Sequence, residues 1–276
     1  MSVSILVLTL NEEDNLPECL QSVKWADEIV VLDSYSSDRT VTIAQEMGAR
    51  LVQRRFDNWS AHQNWALEQI PFKHSWVFYL DADERMTEDL KDEILMIAND
   101  PSGSPVAYYC GRRNMFMGRW IKHAMPPGTI MRFFRPSHVR FQRLVNPVPI
   151  INGQHGYLRG MLIHHNFSKG ISEWIDKHNR YSQLEALEGM KLTHQGAGKQ
   201  PGLFSADRTL RRRALKNLSV RLPWRPFIKF FYLYLWQCGW MDGRAGFTYC
   251  VLQSFYEYMI VLKTRELERR ERGLPI

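Results

Sequence analysis

The sequence contains little cysteine and lacks the long apolar runs that cross membranes. Its four cysteines, Cys19, Cys110, Cys238 and Cys250, show no metal-ligand spacing, so we expect reduced thiols rather than a zinc module or a disulfide scaffold. Each strongly apolar stretch is shorter than the roughly 20 residues of a transmembrane helix. The N-terminus enters an apolar run with no basic, small-residue leader, which favours a cytoplasmic location.

Two further absences exclude classes of function. The formal charge of +7 suits either an anionic membrane surface or a nucleic acid. The sequence has no RNP, zinc-finger or helix-turn-helix pattern, so we expect no nucleic-acid partner. The first apolar run is followed by residues 9–14, TLNEED, which contain neither the glycine-rich loop nor the basic residue expected of a nucleotidyltransferase.

The N-terminal half alternates apolar strands with helices. Residues 2–10 and 28–33 are short apolar runs that end in polar residues, and the run that ends at Asp81 has the same form. A short strand is also expected at residues 50–53. Such alternation predicts an α/β fold with a mostly parallel sheet flanked by helices. The intervening helices are expected at residues 15–23, 39–47 and 59–67.

Polar side chains stand where these strands end. Thr9, Asn11, Asp33 and Asp81 all fall at the carboxyl ends of predicted strands. In open parallel sheets the ligand lies beyond that edge. The pattern therefore favours one binding site over several unrelated helix caps.

Residues 74–84, HSWVFYLDADE, give the strongest indication of chemistry. Asp81 and Asp83 follow the apolar run at a spacing that lets both carboxylates converge on one ion. Oxygen ligands of this type suit Mg²⁺ or Mn²⁺. The alternative is that both aspartates cap a helix expected to begin near Thr87.

Three motifs in this order resemble a known family. TLNEEDNL at residues 9–16, VVLDSYSSDRT at residues 30–40 and FYLDADE at residues 78–84 are similar to motifs of the inverting family 2 glycosyltransferases, which have the GT-A fold. Within that family the chain resembles the lipopolysaccharide-core and related bacterial cell-surface sugar transferases. The resemblance covers residues 1–192, which we expect to be the catalytic domain.

The resemblance implies a site for a nucleotide-diphosphate-sugar, with a UDP-sugar as the expected donor. Thr9, Asn11 and Glu12 would line the nucleotide pocket, Asp33 would contact the base, and Asp83 would hold the metal that bridges the diphosphate. The expected metal ligands are Asp81, Asp83 and His164, although His164 also suits a plain hydrogen bond at a strand end. The full expected donor-binding set is Thr9, Asn11, Glu12, Asp33, Ser34, Asp38, Arg54, Asn64 and Asp81.

Cations near this edge would stabilise the charge that develops on the departing diphosphate. Five residues are candidates for this role, although they are also explained more simply as charges that keep the surface soluble. They are Arg54, Arg55, His62, Arg112 and Arg113.

Inversion at the anomeric carbon needs a general base that takes the proton of the acceptor hydroxyl. Relatives place an acid shortly before a segment like residues 156–168, but this chain has Asn146 at that place, and an amide cannot act as a base. Glu84, Glu173 and Asp176 remain as candidates. The expected catalytic set is Asp83, Glu84 and Asp176.

Residues 171–181 have helical spacing. Core packing explains Trp174 and its apolar neighbours, whereas Lys177, His178 and Arg180 would suit a flexible lid over the diphosphate or acceptor.

The C-terminal part has a different character. A linker is expected at residues 193–202, followed by a basic, aromatic-rich helical region at residues 203–276. Two apolar stretches, residues 227–241 and 247–262, are separated by a predicted turn at residues 242–246. They predict an interfacial helical hairpin in peripheral contact with the inner face of the membrane. Packing on the catalytic domain or a dimer interface is the alternative. Basic residues are dense at positions 208–229, which contain Arg208, Arg211, Arg212, Arg213, Lys216, Arg221, Arg225 and Lys229.

These features predict an enzyme that passes a sugar from a nucleotide-diphosphate donor to a lipid-linked or cell-envelope glycan acceptor. The alternatives are a non-catalytic protein that binds nucleotide-sugar or a membrane surface, and a nucleotidyltransferase.

Overall fold

The structure, a computed structural model, describes residues 3–100, 105–142, 147–195 and 224–276. The chain forms two compact units: the first comprises Met1–Met115 and Pro127–Ser168, and the second Phe116–Pro126 and Lys169–Ile276. Part of the expected catalytic domain, residues 1–192, therefore groups with the second unit. The expected linker at 193–202 lies largely outside the described residues, as do Arg208 to Arg221.

The first unit is built on one mixed, mostly parallel sheet. Its strands follow the order β3-β2-β1-β4-β8-β6-β11-β5, and a separate two-stranded sheet pairs β9 with β10. The strands are β1 (Val3–Thr9), β2 (Ile29–Asp33), β3 (Arg50–Gln53), β4 (Trp76–Asp81), β5 (Glu84–Arg85), β6 (Ala107–Phe116), β8 (Thr129–Phe134), β9 (Val139–Gln142), β10 (Val148–Ile151) and β11 (His155–His164), with the short β7 (Arg119–Trp120) falling in the second unit.

The strand directions bring several carboxyl ends to one edge. β3, β2, β1 and β4 are parallel, with Thr9 opposite Asp33 and Leu8 opposite Asp81. β8 is antiparallel to both β4 and β6, so β6 and its parallel neighbour β11 point the same way as β4. The predicted parallel core is confirmed. The short β5 returns along the end of β11, with Glu84 opposite His164.

Helices cover both faces of this sheet. Because successive side chains of a strand point to opposite faces, Ile5 and Val7 of β1 belong to one buried cluster and Leu6 and Leu8 to another. This explains why the first apolar run carries no polar alternation. The helices are α1 (Leu16–Ser22), α2 (Thr40–Glu46), α3 (Trp59–Gln69) and α4 (Glu88–Ala98).

The helix boundaries follow local capping chemistry. Asn58 accepts a hydrogen bond from the Ala61 amide at the start of α3, and Thr87 accepts one from the Leu90 amide at the start of α4. The expected start near Thr87 is therefore confirmed. Asp81 and Asp83 do not cap α4, so the helix-cap explanation for these two carboxylates is wrong.

The second unit is helical. Arg225–Phe231 forms α6, which continues as a π-helical turn at Tyr232–Trp236. A 3-10 turn at Gly239–Asp242 leads into α7 (Gly243–Glu271), while α5 (Gly170–Gln195) lies earlier in the chain. The predicted helical hairpin is thus present. Among the residues that the structure describes, no helix combines the length and the apolar character of a membrane span.

The hairpin turns earlier than the sequence predicts. The reversal lies at Cys238, whose φ of 57° is left-handed, whereas Gly243–Glu271 is already helical. Gly246 serves close packing instead of a turn, because a Cβ added there would stand 2.1 Å from the Gly239 carbonyl oxygen. The expected turn at residues 242–246 is therefore placed too late, since only Asp242 and Gly243, whose φ is 64°, belong to the turn.

Asp242 ties the segment Phe116–Pro126 to the rest of the second unit. Its carboxylate accepts hydrogen bonds from the backbone amides of Lys122, His123 and Ala124 at 3.1, 2.9 and 2.8 Å. The His123 ring contributes a further contact of 2.8 Å. Burial alone would raise the pKa of Asp242, but these donors outweigh it and lower the pKa.

Candidate active site at the carboxyl edge of the sheet

In the first unit, one polar edge is formed by the carboxyl ends of β1, β2, β4, β6 and β11, which run in the same direction, with the antiparallel β8 between β4 and β6. β1 and β2 contribute Thr9 and Asp33, and β4 ends at Asp81. At the other end of this row Asn114 of β6 lies opposite His164 of β11. The structure thus brings together most of the residues expected to bind a donor.

Asp33 is the centre of the end of this edge that β1 and β2 form. It is fully buried, and its Oδ1 accepts a hydrogen bond of 3.1 Å from the Thr9 hydroxyl. Oδ2 accepts bonds of 2.9 Å from the Ser36 amide and 3.1 Å from Gln53 Nε2. The Ser36 hydroxyl also donates to Oδ1. Asp33 therefore fixes the loop after β2. Direct contact between its carboxylate and a nucleobase requires one of these hydrogen bonds to break.

Two neighbouring loops are locked to each other beside Asp33. The Asn11 side chain, on a residue with a left-handed φ of 55°, accepts a hydrogen bond of 2.8 Å from the Ser37 amide. The Glu12 amide donates to the Thr40 hydroxyl at 2.7 Å. Asp38 accepts from the Thr40 and Glu13 amides at 3.0 and 3.1 Å. Its pKa is lowered by these bonds and by the Thr40 hydroxyl, against the opposing effect of burial. Asn11, Glu12 and Asp38 therefore shape a preformed rim.

Arg54 presents a positive charge next to this rim. It is held by Asp57 at 2.7 Å and by His62 Nδ1 at 2.9 Å, and it lies 5.5 Å from the Trp65 ring. Ser34 Oγ stands 3.5 Å from the other ring nitrogen of His62. The Arg54 amide also donates to the Asp33 carbonyl at 3.0 Å. Arg54 and Ser34 thus lie at the site, whereas Arg55 is exposed on the loop that follows β3.

Asn64 has a structural role instead of the expected ligand contact. Its side-chain amide donates to the Phe141 carbonyl at 2.9 Å, and its carbonyl accepts from the Phe141 amide at 2.8 Å. This pair of bonds attaches β9 to α3. Because both polar atoms of the side chain are engaged, we remove Asn64 from the donor-binding set.

Asp81 faces a buried arginine. Arg132, at 1% exposure, donates from Nη2 to Asp81 Oδ2 and, at 2.8 Å, to Glu84. Tyr79 donates its hydroxyl to Asp81 Oδ1 at 2.7 Å, and the Arg132 guanidinium lies 4.3 Å from the Tyr79 ring. Both oxygens of Asp81 are therefore engaged by protein groups, so in this structure the carboxylate does not turn toward Asp83 and His164.

Glu84 is fully buried and cannot meet an acceptor hydroxyl. Burial raises its pKa, while the charge of Arg132 acts in the opposite direction. Arg112 adds a second positive charge, with Nη1 3.6 Å from Glu84 Oε1. The expectation that Glu84 acts as general base is therefore wrong, because the base must reach the proton that it removes.

Asp83 and His164 face each other at the other end of the edge. His164 Nε2 lies 3.3 Å from Asp83 Oδ2, and its Nδ1 lies 2.9 Å from Asn114 Oδ1. When Nδ1 donates to Asn114, Nε2 presents a lone pair toward the carboxylate. A lone pair and a carboxylate at this distance repel each other unless a proton or a cation lies between them.

This pair fits a divalent cation. Asp83 offers oxygen, His164 offers nitrogen, and Asn114 supplies the outer hydrogen bond that orients ligating histidines. Mg²⁺ and Mn²⁺ are commonly held by one or two side chains together with substrate phosphates. Within the described ranges no three His, Cys, Asp or Glu side chains converge on one point, so the expected trio with Asp81 is not assembled.

The other candidate bases lie elsewhere. Glu173 and Asp176 are exposed on α5 in the second unit, and Asn146 lies outside the described residues. His178 of α5 is stacked on Trp174 at 3.7 Å and meets the edge of the Tyr256 ring at 4.9 Å. Burial is the main cause that lowers the pKa of His178. This packing differs from the flexible lid that was expected of His178.

Sequence reasoning missed Arg132, Gln53 and Asn114. Arg132 had a visible signal, since it interrupts the apolar strand IMRFF at residues 130–134, where a charged residue needs a buried partner. Gln53 ends β3 and Asn114 lies close to the end of β6, where polar residues are common and local sequence does not distinguish a ligand from a cap.

The mostly parallel sheet, with helices on both faces and this polar edge, is the architecture that the resemblance to the family 2 glycosyltransferases implies. The chain belongs to the family described as Glycosyl transferase family 2, whose profile matches residues 4–162. The protein is accordingly a glycosyltransferase, which sets aside the non-catalytic and nucleotidyltransferase alternatives.

Proteins of similar sequence carry glycosyltransferase names. The lipopolysaccharide core biosynthesis glycosyltransferase LpsC of Rhizobium meliloti is 26% identical over 279 residues, covering 95% of this chain and 92% of that protein. An uncharacterised glycosyltransferase of Rickettsia typhi is 25% identical over 285 residues, covering 99% and 89%.

Two solved structures are also similar to this chain, at low sequence identity. Staphylococcus aureus TarS, residues 1–349, matches with a TM-score of 0.43 and 15% identity over 99% of this chain and 92% of that chain. Glucosyl-3-phosphoglycerate synthase of Mycobacterium tuberculosis, crystallised with Mn²⁺ and UDP, matches with a TM-score of 0.34 and 19% identity over 41% and 44%.

Proposed function

We propose that this glycosyltransferase is a metal-dependent, inverting enzyme that uses a nucleotide-diphosphate-sugar, with UDP as the expected nucleotide. The observation that carries the proposal is the arrangement of one sheet edge. The rim built around Asp33 lies at one end of it, and the Asp83–His164 pair at 3.3 Å lies at the other. An elongated ligand with a base and a diphosphate matches two such ends.

Different residues would contact different parts of that ligand. Thr9, Asn11, Glu12 and Ser34 shape the nucleotide end, and Arg54 adds a positive charge there. Asp83 and His164 would hold the cation beside the diphosphate. Such a cation supplies electrostatic stabilisation of the negative charge on the leaving nucleotide diphosphate. Asp81 belongs to the supporting network with Arg132 instead of to the ligands.

Inversion requires a base on the acceptor side of the anomeric carbon. We retain Asp176 as the candidate, with Glu173 as its neighbour on α5, because both carboxylates are exposed and Glu84 is not. The base would take the acceptor proton while the acceptor oxygen displaces the nucleotide diphosphate.

We further propose that the acceptor is a lipid-linked or cell-envelope glycan. The enzyme would act at the cytoplasmic face of a membrane. The name of the Rhizobium meliloti relative supports a lipopolysaccharide-type acceptor. The second unit supports membrane contact through an apolar strip along α6 and the π-helical turn, which lines a groove of about 590 Å³. We call this the aromatic strip. Its members are Phe227, Ile228, Phe231, Tyr232, Leu235 and Trp236, with exposures from 45% to 81%.

Charge supports a lipid surface as the partner of the aromatic strip. Residues 224–241 contain Arg225 and Lys229 and no acidic residue. Aromatic and aliphatic side chains with nearby cations match the boundary between anionic head groups and acyl chains. Arg225 is also paired with Glu257 at 2.5 Å, so Lys229 is the stronger candidate for head-group contact.

The test is a panel of nucleotide-sugars on the purified full chain. Thermal stabilisation and slow donor hydrolysis are measured with Mn²⁺ or Mg²⁺ and then with EDTA. A bound donor raises the melting temperature by mass action. We expect metal-dependent stabilisation by one nucleotide-sugar, its loss in Asp83→Asn, and its retention in Asp92→Asn, which changes an exposed carboxylate of α4. Stabilisation that EDTA and Asp83→Asn leave unchanged contradicts the proposal.

A further inference from the structure

A buried charge cluster adjoins the loop between β4 and β5. Arg132 provides its positive centre, and the same Nη2 atom contacts Asp81 Oδ2 and, at 2.8 Å, Glu84 Oε1. Arg112 contributes a second cation, and the Tyr79 ring covers the Arg132 guanidinium at 4.3 Å. Two carboxylates so close to one nitrogen repel each other if that cation is removed.

Three hydrogen bonds hold the backbone at Asp81, Ala82 and Asp83. The Asp81 amide donates to Glu84 Oε2 at 3.1 Å. The Ala82 carbonyl accepts from Arg85 Nη1 at 2.8 Å, and the Asp83 carbonyl accepts from the His165 amide at 2.8 Å. Asp83 therefore has a fixed backbone, and its carboxylate points from a rigid loop toward His164.

We propose that Arg132 is a positioning residue, which holds Asp81 and Glu84 together so that the loop presents the Asp83 carboxylate to a divalent cation shared with His164. This inference rests on the proposed function, since it concerns the same cation site. Arg132 itself touches neither the cation nor the donor. It acts through Asp81 and Glu84 at the two ends of the loop. Arg132 lies on β8, the strand that pairs with β4.

The chemistry of arginine explains why this residue type stands at the centre. A planar guanidinium offers several N–H donors in fixed directions and stays protonated, so it can bond to two carboxylates and stack on an aromatic ring at once. A lysine supplies one charge without that fork. A buried ion cluster gains little stability over a well-packed apolar core. Its place at this loop is therefore better explained by orientation than by stability.

The test measures cation affinity without turnover. Mn²⁺ binding to the full chain is followed by electron paramagnetic resonance, first alone and then with UDP as the probe. We expect Arg132→Lys to remain folded and to bind Mn²⁺ roughly 10- to 100-fold more weakly, the range for residues that support a metal ligand. The matched control is Arg50→Lys, which alters an arginine paired with Glu28 at 3.1 Å and should bind as the wild type does.

A second variant covers the case in which Arg132→Lys fails to fold. Glu84→Gln keeps the shape of the side chain but removes one of the two charges that Arg132 holds, and we expect it to weaken Mn²⁺ binding several-fold. Unchanged Mn²⁺ affinity in a folded Arg132→Lys, or in Glu84→Gln where the first variant does not fold, overturns the inference.

The wild type and Asp83→Asn separate this inference from the proposed function. Equal Mn²⁺ binding by these two proteins shows that Asp83 holds no cation, and it overturns the proposed cation site together with the role of Arg132. Binding that is lost in Asp83→Asn but retained in Arg132→Lys leaves the proposed function intact and overturns the positioning role alone.

Discussion

Arg54 donates a hydrogen bond of 2.9 Å from Nη1 to Nδ1 of His62. The acceptor nitrogen must be unprotonated, so this contact requires a neutral His62. Burial is the main cause, and the charge of Arg54 the second, that lowers the pKa of His62 from 6.5 to about 4.

Stability should therefore fall as the pH drops from about 6.5 to about 4. Above this window both the folded and the unfolded protein hold a neutral His62. Within it the unfolded chain binds a proton that the folded protein refuses, so the free energy of unfolding decreases, by about 1–3 kcal/mol at the lower end. Urea unfolding at several pH values measures the slope. His62→Gln should flatten it in this window, and an unchanged slope would contradict the assignment.

Replacing Asp33 by asparagine should both destabilise the protein and weaken donor binding. The amide nitrogen of asparagine cannot accept the bonds that the Ser36 amide and Gln53 donate at 2.9 and 3.1 Å. An unsatisfied buried donor costs about 1–3 kcal/mol. Thermal unfolding and nucleotide titration of Asp33→Asn measure the two effects, with Asp92→Asn as the exposed control. Wild-type affinity for the nucleotide in Asp33→Asn would show that the loop is not part of the donor site.

Most of the first unit could be predicted from the sequence because its signals are local. The apolar runs that became β1 and β4, and the start of α4 near Thr87, depend on residues within a few positions of each other. The reversal at Cys238 was not predictable in this way. It depends on close packing of Gly246 against the Gly239 carbonyl, which joins residues of two separate helical elements.

The difference between local and long-range signals also explains which site residues could be predicted. Asp33, Asp83 and His164 could be named because strand ends are visible in sequence. The roles of Asp81, Glu84 and Asn64 could not, since each depends on a partner far along the chain: Arg132 for the first two and Phe141 for the third. In the sequence, a carboxylate that follows a strand has the same local pattern whether it binds a metal ion or pairs with a buried arginine.

Replacing exposed apolar residues of the aromatic strip should release the protein from membranes. Phe227→Ser, Phe231→Ser and Trp236→Ser together remove three side chains that are 57%, 55% and 81% exposed. Each loss of apolar burial is worth about 1–2 kcal/mol, so the triple variant should bind anionic vesicles at least tenfold more weakly. Sedimentation with vesicles of mixed phosphatidylglycerol and phosphatidylethanolamine measures this.

Phe255→Ser is the matched control, because Phe255 is an aromatic residue of α7 with 45% exposure that does not line the groove. It should bind vesicles as the wild type does. If the triple variant still binds vesicles normally but changes the oligomeric state, the strip serves a protein interface instead.

Asp176→Asn should lower kcat by about 10²- to 10⁴-fold while leaving donor affinity unchanged, as expected of a general base. The comparison is Asp92→Asn, which alters an exposed carboxylate of α4 and should leave kcat close to the wild-type value. Single-turnover rates with the identified donor and acceptor separate binding from chemistry. Normal kcat in Asp176→Asn removes it from the catalytic set.

Asp83 and His164 are the two side chains that we propose to hold a divalent cation at the carboxyl edge of the sheet. The most direct measurement is an anomalous difference map from crystals grown with Mn²⁺ and the nucleotide of the donor. We predict a peak roughly 2.1–2.3 Å from both Asp83 Oδ2 and His164 Nε2, with diphosphate oxygens completing the shell. A peak bound by Asp81 away from Arg132, or a bound nucleotide with no peak near Asp83, would contradict this account.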